Sequence, residues 1–323
     1  MLDVLIEQSG ERQLFFDEIQ VVEGWEVYVR QKLDEGFQVV VTGSNASLLS
    51  RELGTKLTGR HFTKALYPFS YTEFCQFRQL ALGPASVMEY LSAGGFPEYL
   101  KWGNPEILTT LFDDILYRDI AVRYGIRDAR SLKSLLIFLV THVGRPITAT
   151  KLGKQLGIKS TASVLDYLSY FEQAWLLQLM PRFSYSFRAQ LVNPRKVYVV
   201  DNGLVGAISA SLSGDRDRKL ENMVYWSLKR RGKTLFYFLE DGRECDFVVK
   251  AGTAVEAVIQ VCTMLNPDNR DREEQGLLKA MEFFGLSEGL LLTLEQSDQV
   301  VYGDKQIKVL PIHQWEIAQS DGA

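Results

Sequence analysis

The most constraining stretch lies near the start of the chain. In RQLFFDEIQVVEGW (residues 12–25), an apolar run hands on to two adjacent carboxylates, Asp17 and Glu18. Residues 14–19 read as a buried strand. EGWEVYVRQKLDEG (23–36) has helical spacing through Trp25, Val29 and Leu33, and Gly36 stands where a helix-ending glycine belongs. FQVVVTGSN (37–45) is then a β-branched run that stops at Thr42, Ser44 and Asn45. Strand, helix, strand with short connections is the parallel βαβ pattern, in which sites gather at the carboxyl ends of the strands. The pattern therefore brings Asp17–Glu18 and Thr42–Ser44–Asn45 to one edge. A helix, ASLLSREL, and another short strand, HFTKALYPFS, follow.

From Tyr71 to about Arg127 the spacing turns helical, with the glycine pair and proline of GGFPEYL (94–100) breaking one helix from the next, as in a helical lid. Residues 131–192 form a different unit. SLKSLLIFLVTHVG, ITATKLGKQLGI and KSTASVLDYLSYFEQAWLLQ are three helices, with Thr148 or Thr150 as a cap of the second and Gly157 in the turn after it. LLQLMPRFSYS and QLVNPRKVYVV then alternate like a two-stranded wing. Helix, helix–turn–helix, wing is the winged-helix order. Its third helix is the expected DNA-reading element, with Lys159, Ser160, Thr161 and Ser163 near its start and Arg182 and Arg188 in the wing. From about 197 the order is helix, three strands, helix, two strands.

Charge supports this division. The 323 residues carry a net charge of −4, yet residues 129–200 hold ten basic side chains and only two acids, Asp166 and Glu172. A positive field concentrated in one block steers a polyanion. Three well-separated cysteines (Cys75, Cys245, Cys262), with no CxxC, argue for a reducing cytoplasm and against a zinc site or a disulfide framework. Three scattered histidines disfavour a histidine-based metal site. No apolar run approaches the about eighteen residues needed to cross a bilayer, and the acidic start, MLDVLIEQSGERQ, is no secretory leader.

FFDEIQ…GW, VVVTGSNASLL, LTGR and LYPFSYTEF resemble, in order and spacing, the AAA-type P-loop ATPases of bacteria and archaea that carry a C-terminal domain of unassigned function. The resemblance extends through GGFPEYL, LYRDI and the LEN…ECDF pair. It implies ATP and Mg²⁺ as cofactors. Asp17 would hold Mg²⁺ through water, Glu18 would orient the attacking water, and Ser44 or Asn45 would sense the γ-phosphate. Arg60 would be an arginine finger completing a neighbouring subunit's site, which implies a homo-oligomer. The phosphate-loop pattern G-x-x-x-x-G-K-[ST] has no match. GTKLTGRH (54–61) has Arg for the lysine and His for the hydroxyl, and RGKTLF (231–236) has Ser227 where the first glycine belongs. The expectation is that the loop lies upstream of this chain and that Mg²⁺–ATP binds it poorly or not at all.

The order over 215–311 resembles the PD-(D/E)xK nuclease core, a restriction-endonuclease-like fold. The resemblance implies a Mg²⁺ site from Glu221 in LEN, Asp246 in ECDF and Gln260 on the third strand. Cys262 stands where the lysine is expected, and a neutral thiol cannot supply that charge. Lys250 is a stand-in on the same strand face as Asp246. The fold class expected is thus α/β: a partial AAA-type core (1–68), a helical lid (69–128), a winged helix (129–196) and a nuclease-like domain (197–323). The leading reading is an AAA-type ATPase inactive in hydrolysis, with a DNA-binding winged helix and a degenerate nuclease-like domain. A nucleotide-independent DNA-binding or interaction module and a Mg²⁺-dependent nuclease are the alternatives.

Overall fold

The computed structural model describes residues 2–43, 61–209 and 215–320 and divides into two compact units. The first takes in residues up to Leu66. It contains α1 (Leu2–Ser9), β1 (Gln13–Phe16), α2 (Trp25–Asp34) and β2 (Gln38–Val41). β1 and β2 pair in parallel from Gln13–Gln38 to Phe16–Val41, as the strand–helix–strand spacing requires. α2 covers one face of this pair: Trp25 and Val29 are buried against Ile19, with Phe16, Leu33, Val39 and Val41 around them. Gly36 closes the helix with φ at +84°, a left-handed conformation that glycine adopts without a Cβ clash. The 32-to-37 and 33-to-36 backbone hydrogen bonds around it satisfy the last carbonyls of α2.

Two expectations fail here. β1 is shorter than 14–19 and is covered on one face only, so Phe15 is 72% exposed. Residues 61–70 form no strand. Pro68 removes a ladder donor; Tyr67 instead packs on Trp226, at 5.6 Å between ring centroids, and the Phe69 N–H donates to the Gly95 carbonyl.

The second unit opens with helices α3 (Tyr71–Arg78), α4 (Pro84–Ala93), α5 (Pro97–Trp102) and α6 (Glu106–Asp114), the last running into a π-helical stretch, Ile115–Val122. Ser70 and Glu73 form a capping box on α3. Then come α7 (Ala129–Thr141), β3 (Pro146–Ile147), α8 (Ala149–Leu156), α9 (Thr161–Gln173), β4 (Leu177–Pro181), α10 (Phe187–Val192) and β5 (Arg195–Val199). Their strands form an antiparallel sheet in the order β3-β5-β4. Thr148, not Thr150, caps α8, and Gly157 ends it. The stretch QLV, expected as strand, belongs to α10, which carries no buried residue and is capped by Ser186. β5 spans the boundary expected at 196/197, so the segment does not end where the charge excess does.

After α11 (Asn202–Ile208) the chain builds α12 (Arg216–Arg230), β6 (Thr234–Glu240), β7 (Arg243–Ala251), β8 (Ala254–Val261), α13 (Arg270–Phe284), β9 (Glu288–Thr293), β10 (Asp298–Tyr302), β11 (Lys305–Pro311) and α14 (Ile312–Ser320). The six strands form one mixed sheet, ordered β10-β11-β9-β8-β7-β6. The β6–β7 hairpin turns at Asp241-Gly242, both at positive φ, the pairing that suits right-twisted strands. α13 lays Leu277, Ala280 and Met281 on Val248, Val258, Leu291 and Val309. Bringing α13 across the sheet closes the αβββαβ order, and the helix–strand junctions place the polar residues described next.

Candidate functional site

Where α12, β7 and β8 meet, a cavity of about 410 Å³ is lined by six carboxylates and three guanidinia. Against three of these carboxylates sits an ammonium that the strand pattern hid. Lys196, from the central strand of the three-stranded sheet, is fully buried. Its Nζ hydrogen-bonds to Glu221 Oε1 at 2.9 Å and to Asp246 Oδ1 at 2.8 Å, and ion-pairs with Glu244 Oε1 at 2.8 Å. Glu221 comes from α12, and Glu244 and Asp246 come from the same face of β7.

The local sequence explains this convergence. Lys196 and Tyr198 alternate onto one face of β5, and both reach Glu221; the Tyr198 hydroxyl donates to Oε1 at 2.7 Å. Asn222, the next residue of LEN, locks the strand in place. Its side-chain carbonyl accepts from the Val199 N–H at 3.0 Å, while its amide donates to the Val199 carbonyl at 2.9 Å. The Tyr198 and Tyr225 rings stack at 4.0 Å with 1° between their planes. The LEN motif is therefore a clamp on β5 as well as the source of an acid.

Burial shapes the charges. It pushes the Glu221 carboxyl up to about 7 in spite of the lysine beside it. Burial alone would lower Lys196, but the charges of Asp246, Glu221 and Glu244 together carry it well above its ordinary value. Burial likewise raises the Tyr198 hydroxyl, with Glu221 adding to the effect. One cation thus answers three acids, and the second oxygens of Asp246 and Glu221 have other partners. Asp246 Oδ2 accepts from the Val261 N–H at 3.1 Å, and Arg218 lies 3.5 Å from Glu221 Oε2.

The structure brings Glu221 and Asp246 together but gives Gln260 a different task. Gln260 Oε1 accepts from the Asp246 N–H at 3.1 Å, and its amide donates to Glu273 Oε2 at 2.6 Å. A divalent ion shared by Glu221, Asp246 and Gln260 does not fit this arrangement, because the ammonium stands between the first two and both polar atoms of the third are engaged. Among the described residues, no group of three or more His, Cys, Asp or Glu side chains is disposed to hold a metal ion. Cys262 is buried in apolar surroundings that push its thiol up, so it is neutral. Lys250 lies 5.9 Å from the Phe236 ring centroid and does not line the cavity. The charge beside Glu221 and Asp246 is that of Lys196.

Of the expected ATP-site residues, Asp17 and Glu18 are exposed at the end of β1. The Thr42 hydroxyl, past the end of β2, donates to Asp17 Oδ1 and accepts from the Glu18 N–H at 3.1 Å. A carboxylate at this edge is open to an outside cation. Ser44, Asn45 and Arg60 lie outside the described residues. On the helix–turn–helix, Lys159, Ser160 and Thr161 are exposed and Ser163 is half-buried. Ser160 Oγ accepts from the Ser163 N–H at 3.3 Å and so caps α9. Arg188 is exposed on α10, whereas the Arg182 guanidinium turns away and donates to the Leu239 carbonyl of β6.

The chain matches the family described as AAA domain over residues 1–75 and the Domain of unknown function (DUF8612) over residues 85–215. An uncharacterized protein of Methanocaldococcus jannaschii is 31% identical over 98% of this chain and 77% of its own length. An uncharacterized protein of Haemophilus influenzae is 33% identical over 75% of this chain and 64% of its own length. No solved structure matches. The chain belongs to the same family as the uncharacterized Methanocaldococcus jannaschii protein, and its residues 1–75 match an AAA domain.

Proposed function

We propose that this chain is an AAA-type ATPase relative that works on duplex DNA through its three-helix, three-strand unit. One observation carries the reading. In a unit with winged-helix order, Lys151, Lys154 and Lys159 are exposed along the helix–turn–helix and, among the described residues, engaged in no ion pair. Unpaired ammonium groups there, with Ser160 and Thr161 at the start of α9, match a phosphate backbone in charge and in donors. The test is binding to a fluorescent duplex across a salt series. Affinity should fall steeply with salt, and K151E/K154E/K159E should flatten the slope by about three counterions. Binding that is weak at low salt, or indifferent to the three changes, rejects the reading.

For the AAA unit the proposal is a site with its carboxylates but without bound ATP, since no phosphate-cradling pattern occurs in the sequence. Calorimetric titration of Mg²⁺–ATP, with Asp17→Asn as control, should give no specific heat. For residues 215–311 we propose a nuclease-like fold kept for binding or docking. The alternative, an active Mg²⁺-dependent nuclease, would need the Lys196 ammonium to leave the Glu221–Asp246 pair. That reading requires plasmid cutting that Asp246→Ala abolishes.

A further inference from the structure

The nuclease-like order of the C-terminal strands leads one to expect a divalent ion among Glu221, Asp246 and their neighbours, and the geometry disagrees. We propose that the Lys196 ammonium is the resident cation of the Glu221–Glu244–Asp246 cage, that it excludes Mg²⁺ and Mn²⁺ from the intact protein, and that its removal turns the cage into a divalent-cation site. The identity of the displaced ion rests on the nuclease-like reading; the filled cage rests on the geometry alone.

Three features carry this. First, the fit is complete: three carboxylate oxygens from three residues lie within 2.9 Å of one nitrogen, and an ammonium has three N–H groups to offer. Second, the backbone that carries the lysine is fixed. β5 is the middle strand of its sheet, with Lys196 opposite Pro146 on one side and Met180 on the other. Asn222 grips the backbone three residues on. Third, the cage keeps a route to solvent, because Glu244 is 36% exposed while Glu221 and Asp246 are nearly covered. Without the ammonium, three carboxylates would share a largely dry pocket. Such a group either takes up protons or recruits a cation, and hard carboxylate oxygens suit Mg²⁺ or Mn²⁺.

The arrangement also ties the two halves of the unit together. The cation comes from the three-stranded sheet and the acids from α12 and β7, so the charge that satisfies the cage also fastens β5 to it. A metal could do the first but not the second.

The experiment is a Mn²⁺ titration followed by electron paramagnetic resonance, with thermal melts in EDTA and in Mn²⁺, on wild type, D246N, K196A and K196A/D246N. Wild type should bind no Mn²⁺ in an Asp246-dependent manner and melt alike in both buffers. K196A should melt lower in EDTA, bind one equivalent of Mn²⁺ and recover stability on binding it. K196A/D246N should lose the binding and the recovery. A tight Mn²⁺ site in wild type that D246N removes overturns the resident-cation proposal and leaves the nuclease-like reading standing. A folded K196A that takes up no Mn²⁺ overturns the proposal that the ammonium stands in place of a divalent ion. Should K196A fail to fold even with Mn²⁺, the wild-type arm decides: an Asp246-dependent Mn²⁺ site refutes the proposal and its absence sustains it.

Discussion

The chain holds two carboxylate sites built on opposite principles. Asp17 and Glu18 sit in water at the end of β1, with a threonine hydroxyl as neighbour. Glu221 and Asp246 are buried and share an ammonium from another sheet. The exposed pair needs no internal counter-charge, because water screens it and an outside cation can reach it. The buried pair must carry its own cation, since desolvating unpaired carboxylates costs several kcal/mol. A site open to ligands and a site fastening a fold can therefore use the same side chains, and burial decides which role they take.

Denaturant unfolding of Asp246→Ala against Asp17→Ala is the sharpest test of that contrast. Asp246→Ala leaves Lys196 short of a partner and orphans the Val261 N–H, so it should lose about 3–5 kcal/mol. Asp17→Ala, at the surface, should stay within about 0.5 kcal/mol. Similar losses at both positions would break the comparison.

Asp201 provides the intermediate case: a buried carboxylate without an ammonium. It accepts from the Gly95 N–H at 2.6 Å and the Gly203 N–H at 2.7 Å, and burial, the larger influence, pushes it up to about 6. Its folded value thus lies above the ordinary 3.8. Between those values the folded state keeps a proton that the unfolded chain has lost. Stability from this group is therefore highest at low pH, falls as pH rises from about 4 to about 6, and is flat above; the whole effect is about 3 kcal/mol. Urea melts across that range should show the decline in wild type. In Asp201→Asn the decline should be shallower, with the part that Glu221 contributes remaining, and a slope unchanged by the substitution would remove Asp201 as a source.

The same clasp accounts for the glycine pair of GGFPEYL. A Cβ on Gly94 would stand 2.0 Å from Asp201 Oδ1, and one on Gly95 2.2 Å from the Phe69 carbonyl oxygen. Gly95→Ala should cost about 1–3 kcal/mol, because the obstructing atom is backbone and cannot step aside. A melting temperature that matches wild type would show the chain crossing there to be looser than these distances.

What the sequence disclosed follows the range of the forces involved. The helical spacing of Trp25, Val29 and Leu33, the glycine at 36, and the parallel pairing of β1 with β2 are local consequences of periodicity and turn chemistry, and all were legible. Glu221 and Asp246 were found as acids on a helix and a strand. Lys196 was missed because its partners lie 25 and 50 residues away, across a boundary drawn through β5. A signal was there: in RKVYVV, a lysine shares the inward face of an otherwise apolar strand with Tyr198. A buried ammonium on that face demands carboxylates, and LEN and ECDF supply them. The partners of Gln260 were not legible for a related reason. Period-2 alternation gives the face of a strand but not which polar neighbour claims the side chain, and here the claimants are a backbone N–H and Glu273.

The exposed site permits a test of opposite sign. Glu18 holds φ at +47° and ψ at 43°, the left-handed region that a side chain with a Cβ adopts at a cost of about 1–2 kcal/mol. Glycine adopts it freely, and the Glu18 N–H bond to Thr42 Oγ1 would survive the exchange. Glu18→Gly should therefore raise stability by up to about 1 kcal/mol, measured as a shift of the urea midpoint at constant slope. Every substitution at the buried cage is expected to destabilise. A stabilised Glu18→Gly would identify the N-terminal carboxylates as residues kept at the expense of stability, the mark of a site retained for a ligand. A destabilised one would place Glu18 among the residues that hold the fold.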